Sequence, residues 1–201
     1  SVADLRNIET DNKELKGFLI QFEEDILSGV EGDGIQYLKM LHEENTDFFS
    51  EDSHRIRFSF FLMIQFLRTK RMSEKIKSAM RESLAKELVN IDNVWPIDKY
   101  INAGHMALSL FLDKEYEINL LKNETAIPFI TGDQPIFNIH GLGDIIPSET
   151  EFYYPISPFL SVIISKKEQN SNVTIDCVKR YNSIVKDMSY DQIYASEERY
   201  L

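Results

Sequence analysis

Leu15, Phe18, Leu19, Phe22, Ile26 and Leu27 recur at intervals of three and four residues, the spacing of one buried helix face. Gly29 reads as the stop of that helix, "VEGDG" as a turn, and "IQYLKMLHEE" as a short second helix. "NTDFF" then leads to a long helix from about Glu51 to Met72. Ser50 is its expected N-cap, and Glu51 and Asp52 fall in the first turn, where the helix dipole favours negative charge. The body of this helix, "FSFFLMIQFL", is apolar on almost every side, which predicts a central, buried position. Ser73 reads as the cap of "EKIKSAMRESLAKELV", and Trp95-Pro96 as the opening of a further helix.

From about residue 115 the texture changes. "YEINLL" and "AIPFIT" read as short strands joined into a hairpin by "KNET". "FYYPI", "FLSVIIS" and "VTIDCV" read as further strands, and "QIYAS" as a last short one. In between, "VKRYNSIVKDM" returns to helical spacing, with Val178, Tyr181 and Val185 aligned. Helices first and mainly antiparallel strands later predict an α+β fold. We expect a single domain over 1–201, with a helical half (about 1–114) packed on a small C-terminal sheet half (about 115–201).

Composition narrows the class. The chain has 201 residues, 43% of them hydrophobic, with 13 Phe and 9 Tyr, enough for a substantial core. No apolar run approaches the roughly 18 residues of a membrane span, and the first residues are too polar for a signal peptide. One cysteine, Cys177, excludes an internal disulfide framework and suits a cytoplasmic protein. Net charge is −11, yet residues 51–90 carry +4 and the remainder −15. A basic helix docking on acidic parts of the same chain accounts for that asymmetry. A local anion site or nucleic acid stays open, although the overall field would repel a long polyanion.

Phosphate-loop, dinucleotide-binding and nucleophile-elbow signatures are missing, and no cofactor is named by the sequence. One cysteine and four scattered histidines give no metal-ligand pattern. His105 falls on an apolar stripe with Ile97, Ile101, Leu108 and Leu112, and reads as a core histidine. Acid pairs such as Glu23 and Glu24 read as solvated surface. The informative stretch is "FITGDQPIFN", an apolar strand that stops at Asp133 before Pro135. Gln65 and Arg68 project in one direction from the buried helix, and a buried guanidinium needs carboxylate or phosphate oxygens. Three readings of Asp133 stay open: a partner of Arg68 joining the two halves, a neighbour of an anion pocket built on that arginine, or a catalytic carboxylate assisted by His140. Asp133 can also accept backbone N–H bonds in an Asx-type turn, and Asn182 can satisfy backbone groups at the same break.

"FLMIQFLRTKRM", "PFITGDQPIF", "YYPISPFLSVII" and "VKRYNSIVKDMSYDQIYAS" follow one another in an order and spacing that resemble the bacterial family catalogued as domain of unknown function 4238. The matching positions are Gln65, Arg68 and Thr69; Thr131, Asp133 and Pro135; Pro155, Ser157 and Pro158; and Asn182. The resemblance spans about residues 14–197. The family serine before the aspartate is Gly132 here, and the following asparagine is Gln134. The family's upstream His-x-Val-Pro stretch is missing, so a fragment or a divergent member is expected. The resemblance implies no established activity. Two functions remain: a non-enzymatic module binding a small anionic ligand or a protein partner, with Gln65, Arg68, Thr131, Asp133, Ser157 and Asn182 as ligand-binding candidates; or a hydrolase of phosphate-containing substrates, nuclease- or phosphodiesterase-like, with defence or toxin systems as a setting for it and Asp133 and His140 as catalytic candidates.

Overall fold

A computed structural model of the chain describes residues 13–82, 91–141, 149–167, 169, 171–197 and 200. The element order is α1 (Lys13–His42), a 3₁₀ turn (Asp47–Ser50), α2 (Asp52–Leu67), α3 (Lys70–Glu82), α4 (Ile91–Leu112), β1 (Glu117–Lys122), β2 (Thr131–Gly132), β3 (Phe137–Asn138), β4 (Phe152–Ser157), β5 (Leu160–Ser165), α5 (Ile175–Met188) and β6 (Ile193–Tyr194). Helices come first and a small antiparallel sheet follows, so the fold is α+β. No helix among the described residues is long and apolar enough to cross a membrane.

Several boundaries differ from the pattern reading. The helix does not stop at Gly29: α1 runs unbroken from Lys13 to His42. A Cβ added at Gly34 would lie 2.3 Å from the Phe61 ring, so that glycine serves close helix packing rather than a turn. The long helix ends at Leu67, and α3 begins at Lys70, with the Thr69 hydroxyl accepting from the Met72 N–H (3.4 Å). Ser73 is therefore interior to α3, and the expected extension to residues 83–89 lies outside the described residues, as do residues 1–12. Glu51, not Ser50, is the N-cap of α2 and makes no side-chain cap. Pro96 lies inside α4 instead of opening it. "VTIDCV" is no strand: the Thr174 side chain accepts from the Cys177 N–H and starts α5 there.

β1, β5, β4 and β3 form one antiparallel sheet in that spatial order, while β2 pairs with β6. The predicted β1–β2 hairpin does not form. Asn123 instead ties its loop with side-chain bonds to the carbonyls of Ile127 (2.8 Å) and Pro158 (3.2 Å). Side chains alternate across the sheet, as a strand's period of two requires. Ile118, Leu120, Phe152, Val162 and Ile164 join the core of α1, α2 and α4; Leu121, Phe137, Tyr153 and Ile163 join the core under α5. β5 is thus covered on both faces, and every residue of it is buried.

Three buried charged side chains, Arg55, Glu23 and Lys99, anchor the helices. The Arg55 guanidinium donates to the carbonyls of Leu110 (3.1 Å), Asp113 (2.9 Å) and Tyr116 (3.0 Å), closing the end of α4. Glu23 is not solvated surface: it is 1% exposed and meets Lys99, 2% exposed, at 2.6 Å, with the Tyr100 hydroxyl donating at 3.0 Å. Replacing Lys99 with Met should cost about 3–5 kcal/mol in chemical denaturation, because Glu23 stays buried without its lysine. Adding Glu23→Gln should recover most of that loss.

Candidate functional site

Proline at 128 and at 135 removes two backbone donors from the stretch that links the sheet to the helices. What remains is held chiefly by other segments. The Phe129 N–H donates to the Pro158 carbonyl (2.9 Å). Asn182, from α5, donates to the Pro128 carbonyl (2.8 Å) and accepts from the Ile130 N–H (3.2 Å). Thr131 and Gly132 then pair with Tyr194 and Ile193.

Asp133 accepts the N–H groups of Tyr190 (2.7 Å), Asp191 (2.7 Å) and Gln192 (3.2 Å), the turn that leaves α5. Its own N–H donates to the Gln192 carbonyl (3.0 Å). Burial alone pushes the Asp133 carboxyl up, but the N–H groups of Tyr190, Asp191, Gln192 and Asp133 itself outweigh it and leave the group below its ordinary value. The close approach of this turn also explains Gly132. A Cβ there would lie 2.0 Å from the Ser189 hydroxyl and 2.9 Å from the Gln192 carbonyl.

Arg68 and Asp133 do not form the expected pair. Helix α2 ends at Leu67, and Arg68 turns out to solvent, where it meets Glu31 at 2.9 Å. Gln65, three residues earlier, is buried. The link between the halves is made by neighbours of the expected pair. Gln134 donates to the carbonyls of Phe66 (3.3 Å) and Ile136 (2.5 Å), and the Thr69 hydroxyl contacts Gln134 Oε1 and the Phe66 carbonyl. Other basic residues near this junction also meet groups of the same chain: Lys70 pairs with Asp191 (3.1 Å) and Arg71 donates to the Asp187 carbonyl (2.8 Å).

The candidates fall into separate surroundings. Thr131 and Ser157 line one groove of about 250 Å³, with Phe129, Ile130, Pro155, Ile156, Pro158, Tyr194, Ala195 and Ser196. Asn182 borders a different, more open hollow of about 520 Å³ beside Lys179 and Lys186. His140 stands 3.7 Å from both Glu149 and Glu151. His105 is exposed on α4, contrary to the core reading. Among the described residues no group of three or more His, Cys, Asp and Glu is arranged to hold a metal ion. Sequence reasoning missed the apolar walls of the groove, although Pro155 and Pro158 marked one side of it.

Asp133→Asn should destabilise the protein by about 1.5–3 kcal/mol at neutral pH, since an amide NH₂ then confronts backbone N–H donors. The folded-state pKa is lowered, so the stabilisation is complete above the unfolded value near 3.9 and is lost as pH falls through the folded value. Denaturation of wild type and variant across pH should therefore give a gap that is constant from about pH 5 upward and closes in acid.

Neither the curated proteins nor the solved structures offer a significant match to the chain. The family described as "Protein of unknown function (DUF4238)" matches residues 11–199, which contain the 129–138 break, the turn that holds it and both walls of the groove. The chain belongs to that family.

Proposed function

We propose that this chain is a non-enzymatic binding module that takes an apolar side chain of a protein partner into the groove between residues 129–131 and 155–158. The carrying observation is the lining: two segments that match the family pattern converge there, and no charged side chain is among the ten lining residues. A volume of about 250 Å³ falls below the roughly 300–1,000 Å³ of small-molecule pockets, which suits one or two side chains better than a nucleotide. Thr131, Ser157 and Ser196 supply hydroxyls at its walls, and Tyr194, 52% exposed, stands at its edge. Such a lining favours a neutral partner over an anionic ligand.

The hydrolase alternative draws less support. A general base needs a pKa near the working pH; three backbone donors stabilise the ionised Asp133 carboxylate and its pKa moves the other way. We read the protein as a single domain working in the cytoplasm, in keeping with its one cysteine.

N-acetyl-phenylalanine amide and N-acetyl-leucine amide, titrated into ¹⁵N-labelled protein, should shift resonances of Thr131, Ile156, Ser157 and Ala195. Ala195→Phe, which fills the groove, should remove the effect. Shifts that map elsewhere, or phosphodiester hydrolysis that disappears in His140→Ala, would refute this function.

A further inference from the structure

The outward face of α4 carries Ile101, Leu108 and Leu112, which are 52%, 46% and 65% exposed, with Ile97 half-buried on the same face. These four positions are symmetric about the midpoint between Gly104 and His105: 101 mirrors 108, and 97 mirrors 112. Two α4 helices laid antiparallel across a two-fold axis at that midpoint bring Ile101 of each copy against Leu108 of the other. Ile97 meets Leu112 in the same way. That reciprocity is what an isologous contact demands.

Two further observations point to a second copy. Fourteen residues separate Asp98 from Asp113, and the one charged residue among them, Lys99, is buried against Glu23. In a chain with 27% charged residues and a net charge of −11, this face is where two copies can meet without opposing like charges. Gly104 lies at the symmetry point, and a Cβ added there would touch nothing within 4 Å. A mid-helix glycine weakens a helix relative to alanine, and packing within the monomer does not require this one. At a helix crossing, the missing side chain lets the two axes approach.

We infer that the protein forms a symmetric dimer through α4, centred on Gly104 and His105. Leu112 of one copy then extends the small apolar cluster of Leu19, Ile20 and Ile97 on the other. One helix face covers less than the ~800 Å² per partner of a standard interface, so the association is reversible and concentration-dependent.

Sedimentation velocity from about 1 to 200 µM spans the range in which a micromolar dimer populates both states. Wild type should shift from monomer to dimer. Ile101→Lys and Leu108→Asp should each weaken association at least tenfold, with circular dichroism unchanged because both positions are exposed. The double variant carries a lysine and an aspartate that meet across the axis twice, and it should dimerise more tightly than either single variant. A wild type that stays monomeric throughout overturns the inference. So does a dimer indifferent to both substitutions, or a double variant no tighter than the singles.

Discussion

Backbone polar groups withdrawn from water must find partners, and between Pro128 and Asn138 the chain has only two two-residue strands to provide them. Three side chains bind it to its surroundings, one from α5 and two of its own. Asn182 holds the entry from α5, Asp133 gathers the turn beyond α5, and Gln134 reaches the last turn of α2. The segment is thus the common attachment of both halves and of the C-terminal strand. An aspartate ends the apolar strand because a carboxylate accepts several N–H bonds at once, and hydrogen bonds to an ionised group are the stronger kind.

Its position between two cores makes this attachment consequential. One face of the sheet completes the helical core and the other completes the core under α5. The groove opens where β4 runs past β3, which pairs with Phe152 and Tyr153 alone, so the residues from Tyr154 to Ser157 lack a β3 neighbour. The register shift between Pro155 and Ser157 falls in the same stretch, where a proline is tolerated. A surface hollow bounded by rigid strands results from the way the sheet ends.

Much of this was legible in the sequence. The burial of α2, the strands β4 and β5 and the inward face of α5 follow from periodicity and from the placement of prolines. Asn182 was legible as a residue that serves the backbone at the break, and it does so. Of the readings of Asp133, acceptance of backbone N–H bonds is realised and the pairing with Arg68 is not, for a physical reason. Charge complementarity suggests a side-chain partner, whereas the donors that claim Asp133 are main-chain N–H groups that any residue would carry. α1 likewise continues through Gly29, a glycine a helix tolerates, because the residues beyond it pack: Val30 enters the core and Gly34 lies against Phe61. The stripe on α4 was visible as a stripe, but periodicity alone does not say whether an apolar face looks inward or outward.

Asp133 serves as an ionised anchor for the turn beyond α5, with no proton traffic at neutral pH. Carbon-detected NMR titration of its side-chain carboxyl tests this most directly. The structure predicts a midpoint below the ordinary aspartate value of about 3.9, with the Tyr190 and Asp191 amide resonances moving at the same midpoint. A midpoint raised well above that value, or one to which those amides are indifferent, would contradict it.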